Sequence, residues 1–212
     1  MPAAQALTRR EREQTRHRRE VLEAALTLFA QQGYDATSMQ EIAQAAEFGV
    51  GTLYRLFAGG KEELYLALKQ RVVAAFEQEL AFALRNLDDP CQQLKAYLRA
   101  SAQVYASHPR EMALYLRETI GLSFDLARGL PEDLATRYRA CTDKARQALV
   151  AGMAQGCFRS QTPDDAVLFV RVVINVFLAQ WLFNQGQISL DQSLATIEQA
   201  LFQGLGHPPP AV

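Results

Sequence analysis

Apolar residues recur along most of this chain at three- and four-residue intervals, the spacing of one helix face, and no stretch alternates at period two as a half-buried strand would. The first run spans about Arg10 to Gln32, with Val21, Leu22, Ala25, Leu28 and Phe29 as its stripe. Gly33 ends it as a residue suited to a left-handed C-cap, and Tyr34 is expected to pack beneath that turn. From Thr37 to Phe57 the pattern shortens to two helices joined by a tight turn. Thr37 faces Gln40 and Ser38 faces Glu41 at capping-box spacing, so either residue can open the first of the two. Met39, Ile42, Ala43 and Ala46 share one face, and the small Ala43 lets a second helix cross closely. Phe48 plugs the space between them, while Leu53, Leu56 and Phe57 anchor the second helix inward. Gly49 and Gly51 stand at its start, where a backbone must approach something closely, and Thr52, Tyr54 and Arg55 face out.

Beyond the Ala58-Gly59-Gly60 break, Leu64, Leu68, Val72, Ala75, Phe76 and Leu80 predict a linking helix over about Lys61 to Asn86. Asp88-Asp89-Pro90 supplies an acidic cap and a first-turn proline for a helix ending near Ser107, and Pro109 opens another reaching about Leu122. Gly121 to Leu130 reads as a less regular connection. Pro131, Glu132 and Asp133 then start a helix to about Gly156, with an acidic first turn that suits the helix dipole. Thr162-Pro163-Asp164-Asp165 starts the next, expected to end at Gly186, and Ser189 with Gln192 caps the last, ending near Gly204. Ala166 to Phe183 is the longest apolar stretch. Arg171, Asn175 and Gln180 interrupt it, which favours a helix buried on several sides over a membrane span. The triple proline in the tail predicts a disordered or polyproline-like end. The resulting division is an N-terminal arm and bihelical head over 1–60, a helical region over 61–205 whose first part, 61–86, is the linking helix, and a tail over 206–212.

Two short helices with a tight turn are the form of an element that enters a DNA groove, its N-terminal side chains meeting base edges while hydroxyls, amides and basic groups hold phosphates. The segment TSMQEIAQAAEFGVGTLYRLF, with RREVLEAALTLFAQQGYDATS before it and KEELYLAL after it, resembles the DNA-binding domain of the tetracycline-repressor (TetR) family over roughly residues 16 to 68. Past about residue 85 the resemblance is to a generic helical family core. It implies an all-α fold of about nine helices, with an N-terminal three-helix helix-turn-helix DNA-binding domain joined to a larger helical ligand-binding and dimerisation domain. By resemblance Tyr54 and Lys61 fall at phosphate-contacting positions and Gln40 at one that reaches a base or the backbone. Gln40 has the chemistry to pair bidentately with adenine, and Val50 offers an apolar contact to a thymine methyl. The DNA-contacting set expected is Thr37, Ser38, Gln40, Gly49, Val50, Thr52, Tyr54, Arg55 and Lys61. One glycine more than the family pattern separates Phe57 from Lys61.

One such head reads few base pairs, so two copies on a palindrome are expected. The last two helices are the candidates for joining them, through Val170, Ile174, Phe177, Leu194, Ile197 and Leu201. The resemblance implies the same four-helix arrangement. It also implies a small, largely apolar effector bound among the middle helices, which shifts the separation of the two heads and lowers operator affinity. Candidate lining residues are Tyr105, Met112, Tyr115, Leu116, Phe124, Asn175 and Trp181. The expectation is a homodimeric repressor. The alternative is a helix-turn-helix protein acting without an effector, as an architectural protein or activator, and ligand-induced release from DNA separates the two.

Composition changes this picture little. The chain has 212 residues, 49% of them hydrophobic, and a net charge of -1, so any DNA surface must be local rather than a property of the whole molecule. Arg9, Arg10, Arg12, Arg16, Arg18 and Arg19 supply a basic run, diluted by Glu11, Glu13 and Glu20. Cys91, Cys141 and Cys157 show neither CxxC pairing nor metal spacing and read as buried or free thiols in a reducing compartment, a redox-sensing role for one of them being the alternative, with no cofactor or metal expected. His17, His108 and His207 are scattered, and Ala58-Gly59-Gly60-Lys61 lacks the P-loop pattern, so no enzyme is expected. The basic N-terminus lacks a following apolar segment, which makes the cytoplasm the default.

Overall fold

A computed structural model describes residues 8–119, 129–184 and 187–206, and every regular element among them is an α-helix. Phe124, the start of the 121–130 connection, the predicted helix end at Gly186 and all but Gly206 of the tail lie outside the described residues. The chain divides into two compact units, 1–71 and 72–212.

The first unit is built from α1 (Arg9–Gln32), α2 (Met39–Ala45), α3 (Val50–Leu56) and the opening turns of α4 (Gly60–Ala83). α1 starts one residue earlier than the apolar pattern suggested, because Thr8 and Glu11 form a reciprocal capping box. Gly33 closes α1 at φ 89, with its amide donating to the Phe29 carbonyl. Of the two candidate caps for α2, Ser38 is the one used. Its hydroxyl accepts from the Glu41 amide while the Glu41 carboxylate accepts from the Ser38 amide at 2.8 Å. Val21, Ala25, Leu26 and Phe29 meet Ile42, Ala43, Leu53 and Phe57 in a closed core. Tyr34 packs as expected, with ring centroids 5.4 Å from Phe29 and 5.0 Å from Tyr65.

The second unit holds the rest of α4 with α5 (Pro90–Ser107), α6 (Pro109–Thr119), α7 (Glu132–Ala154), α8 (Pro163–Phe183) and α9 (Leu190–Leu205). α5 is its central helix: Leu94, Tyr97, Leu98, Ser101, Ala102 and Tyr105 are buried on several faces, against α7, α8, α9 and α6. Its small residues Ala96, Ala100 and Ala102 allow those neighbours to come close. α4 stops at Ala83 rather than Asn86, and Asn86 takes φ 59, a left-handed conformation that asparagine tolerates. α7 ends at Ala154, and Gly156 at φ 74 carries the chain out of it.

α8 departs from expectation in a way that bears on function. It is not buried on several sides. Its core stripe, Ala166, Val170, Ile174, Leu178 and Leu182, runs strictly along one side, and Leu168, Phe169, Val176 and Phe183 on its other sides are exposed among the described residues. Among the described residues it is also the one helix long and apolar enough to cross a membrane by length and composition.

Candidate nucleic-acid interface and effector cavity

α3 is held by the apolar inner face that its spacing predicts and by contacts of Arg18 that the apolar pattern did not reveal. Leu53, Leu56 and Phe57 bury its inner face. Arg18 on α1 donates to the Leu56 carbonyl, satisfying a group left open at the helix C-terminus. The same guanidinium lies 4.0 Å from the Phe57 ring centroid and 3.3 Å from the Glu63 carboxylate. Glu63 in turn accepts from the Gly59 amide at 2.9 Å. Arg18 therefore joins α1, α3 and α4, and one of the six arginines of the basic run is a structural clamp rather than part of an electrostatic surface. Phe48 is half-buried in the turn between α2 and α3, edge-on to His17 at 5.0 Å.

The outer surface of this unit carries most of the expected DNA-facing residues. Gln40, Gly49, Gly51 and Arg55 are exposed, Tyr54 is 49% exposed, and Ser38, Val50 and Thr52 are half-buried. A Cβ added at Gly49 or Gly51 would meet nothing within 4 Å, and neither glycine has a positive φ. The fold itself does not demand glycine at either place. Gly60 is different: it opens α4 at φ 63, and a Cβ there would lie 3.4 Å from the Tyr54 ring. The positive φ is what asks for glycine at the start of α4, and the Tyr54 ring rests within ordinary contact distance of it.

One member of the expected set, Thr37, is corrected, and another, Lys61, has contacts inside the unit. Thr37 is only 2% exposed; its hydroxyl donates to the Gly33 carbonyl at 2.7 Å and accepts from Gln32 at 3.3 Å, so it holds the α1–α2 turn instead of facing outward. Lys61 donates to the carbonyls of Tyr34 and Asp35 at 2.8 and 3.3 Å, with its ammonium 4.4 Å from the Tyr34 ring centroid. It caps the same turn. In the basic run, Arg9 and Arg16 pair with Glu13 and Glu20 one helical turn on, while Arg10, Arg12 and Arg19 stand exposed.

The second unit contains a cavity of about 60 Å³ bounded by five helices. Tyr105, Met112, Tyr115 and Asn175 line it, as expected, and the Tyr105 hydroxyl donates to the Asn175 side-chain oxygen at 2.9 Å. Leu116 is buried but does not line it, and neither does the half-buried Trp181, two turns beyond Ile174 along α8. Phe76, Tyr97, Ser101, Tyr138 and Arg171 complete the wall. Of these, Arg171 had a visible signal as a charge interrupting an apolar helix. The others depend on which helices meet, which spacing does not reveal. Burial raises the Tyr105 and Tyr97 hydroxyls well above the ordinary phenol range, Tyr115 adding to the effect at Tyr105 and the Arg171 charge opposing it at Tyr97. Both are neutral donors at physiological pH.

The expected dimer residues divide. Val170, Ile174, Ile197 and Leu201 are buried inside the chain's own core, and Ile174 even faces the cavity; only Phe177 and Leu194 retain partial exposure. This is a correction of register, since the core takes the stripe at one phase of α8 and the uncovered surface lies at another. That surface carries Leu168 (57% exposed), Val176 (45%) and Phe169 (37%), with the half-buried Val172 between them and Phe183 further along. Gly204 on α9 leaves room for the edge of the Phe169 ring, since a Cβ there would fall 2.6 Å from it.

Comparison with known proteins agrees with this layout. Residues 21–68 match the model of bacterial regulatory proteins of the tetR family, and residues 87–205 match a tetracyclin repressor-like C-terminal domain. The chain is 31% identical over 140 residues to the transcriptional regulator HbdR of Aromatoleum, covering 66% of this chain and 59% of HbdR. It is 25% identical over 184 residues to the transcriptional repressor NicS of Pseudomonas putida, covering 85% of this chain and 81% of NicS. The crystal structure of AibR in complex with isovaleryl coenzyme A and operator DNA shares the fold, with a TM-score of 0.71, 24% identity and coverage of 88% of this chain and 98% of AibR. These relatives are regulators, and no enzymatic family is indicated. The two family models together span the three-helix head and the helical unit, and the chain belongs to the TetR family of bacterial transcriptional regulators.

Proposed function

We propose that this regulator is a cytoplasmic homodimeric repressor that binds a palindromic operator and leaves it when a small, largely apolar molecule occupies the cavity of the second unit. The observation that carries the reading is the conjunction, in one chain, of a head with Gly49 and Gly51 exposed beside Thr52, Tyr54 and Arg55, and a second unit with a cavity lined by aromatic side chains. Glycines that the fold does not need make room for an outside surface, and a duplex is that surface for a helix-turn-helix. Gln40, Thr52 and Arg55 are the polar groups available for base edges, and Tyr54 and Ser38 for phosphates.

The uncovered stripe of α8 supports the dimer. Contiguous Leu168, Phe169, Val172 and Val176 form an apolar patch of the kind that marks an interaction site, and a second copy would cover the patch with its equal. NicS is itself named a repressor, and AibR was crystallised with an acyl-coenzyme A and its operator. The cavity of about 60 Å³ is small, with phenol and amide groups as its neutral donors and acceptors, and it suits a compact apolar body with few polar handles.

The test begins with selection of DNA sequences from a random duplex pool. Enrichment of a two-fold symmetric site, followed by loss of binding to it when a small aromatic or aliphatic ligand is added, is the expected result. Enrichment of no symmetric site contradicts the paired-head reading, and a site held equally well across a broad ligand panel favours a DNA-binding protein without an effector.

A further inference from the structure

The sequence separates Cys91 and Cys157 by most of the helical region, yet the fold brings them together. Cys91 lies in the first turn of α5, where Asp89 caps the helix and accepts from the Cys91 amide at 3.2 Å. Cys157 follows Gly156 in the turn after α7, and its own amide donates to the Gly152 carbonyl at 2.8 Å. Gly152 is needed for this: a Cβ there would stand 2.3 Å from the Phe158 ring, which folds back onto α7 and fixes the position of its neighbour Cys157. The next residue is also held, the Arg159 amide donating to the Leu205 carbonyl of α9 at 2.9 Å. From the α5 side, Lys95 reaches the same place. Its ammonium is 5.2 Å from the Phe202 ring centroid and 3.8 Å from Glu198, and Phe202 lies 6.0 Å from Phe158. Both segments are thereby docked on one face of α9, which brings the Cys91 and Cys157 thiols close enough to act on each other.

We propose that Cys91 and Cys157 are a modification site, forming an intramolecular disulfide when the protein meets a hydroperoxide. The two thiols have different parts. Cys157 is exposed, whereas Cys91 is half-buried and held in its protonated form by burial, then by the neighbouring Cys157 and the Asp89 charge. Cys157 therefore reacts first: its sulfur attacks the peroxide, an S–O bond forms, the O–O bond breaks, and the departing oxygen takes up the thiol proton and leaves as water or an alcohol. The sulfur is oxidised by two electrons to a sulfenic acid and the peroxide is reduced. The Cys91 sulfur then attacks the Cys157 sulfur, the S–S bond replaces the S–O bond, and hydroxide leaves with the Cys91 proton as water. Cys141 takes no part. It is buried on α7, and its thiol is pushed up to about 11 by that burial, with Glu77 adding to the effect.

The product ties the first turn of α5 to the turn after α7, two helices that both wall the cavity. Formation of the disulfide does not depend on the proposed effector response, and the test reads chemistry alone. The full chain is treated with hydrogen peroxide, remaining thiols are alkylated, and the protein is digested without reduction for mass spectrometry. The expected product is a single cross-linked peptide pair joining Cys91 to Cys157, lighter than the reduced pair by two hydrogens and reversed by dithiothreitol. Cys141→Ser leaves it unchanged. In Cys91→Ser the cross-link is absent and dimedone labels Cys157. Recovery of both Cys91 and Cys157 as alkylated thiols in the wild-type chain, or their linkage to Cys141 or to a second chain, overturns the proposal.

Discussion

In the first unit nearly every distinctive residue has a contact inside the unit that accounts for it: Thr37 and Lys61 hold the α1–α2 turn, Arg18 closes the end of α3, and Gly60 accepts the Tyr54 ring. Gly49 and Gly51 are the exceptions. In the second unit the balance reverses, because its core is complete and yet leaves a lined cavity and an apolar stripe on α8 that stands exposed among the described residues. The contrast is informative about where function sits. Where a unit's interior explains its residues, function shows in the few that remain unexplained. Where the packing leaves space and apolar surface, function shows in what that packing omits.

The largest expected effect follows from the uncovered stripe. Replacing both Leu168 and Val176 with aspartate adds two charges to an apolar patch without touching the core, and light scattering at micromolar concentration should report a monomer. Affinity for a palindromic site should fall by about 100-fold or more, because two linked heads gain that much over one. A monomer that kept full affinity would break the division of labour. Next comes Gly51→Ala. Alanine is favoured over glycine in a helix by about 1 kcal/mol, so the variant should melt higher, while DNA affinity should drop by roughly 10-fold as the methyl group meets the duplex. Raised stability with unchanged affinity would mean that the exposed face of α3 does not touch DNA.

These two variants also mark what the sequence made legible. The head was readable because capping boxes, a C-terminal glycine and a short apolar period are local signals, and Ser38–Glu41, Gly33 and Leu53 all act within a few residues of one another. Outward positions such as Gln40, Tyr54 and Arg55 followed from the same period. Thr37 was misread because its partner, the Gly33 carbonyl, is a backbone group that leaves no trace in residue identity, and the Tyr34 and Asp35 carbonyls likewise give Lys61 contacts that spacing does not show. On α8 the apolar residues were visible but their phase was not. A helix apolar around most of its circumference has no amphipathic contrast, so Val170 and Ile174 could not be told from Leu168 and Val176 by pattern. The cavity was half legible for a related reason: Tyr105 and Asn175 stand out as polar groups in apolar helices, whereas Phe76 and Tyr138 line it only through the way α4 and α7 approach α5.

A smaller effect tests whether the second unit's core is as tightly determined as the first's. Gly152→Ala drives a methyl group into the Phe158 ring and should lower stability by about 1–3 kcal/mol in urea denaturation, the usual range for overpacking. An unchanged midpoint would mean that the turn after α7 relaxes freely. The smallest effect belongs to Tyr54→Phe. The ring keeps its seat on Gly60 and only the hydroxyl is lost, so stability should hold while affinity for every DNA sequence falls by about the same factor, roughly 5-fold for one hydrogen bond near 1 kcal/mol. A loss confined to one operator sequence would instead assign Tyr54 to base readout.

The central claim is that two copies, joined through the uncovered face of α8, place two heads on one symmetric DNA site. The most direct measurement is the mass of the protein–DNA complex on a selected palindromic duplex, determined by light scattering or native mass spectrometry across a titration. The account predicts two chains per duplex at saturation, with no stable complex holding one chain. A complex of one chain bound as tightly as the saturated species would contradict it.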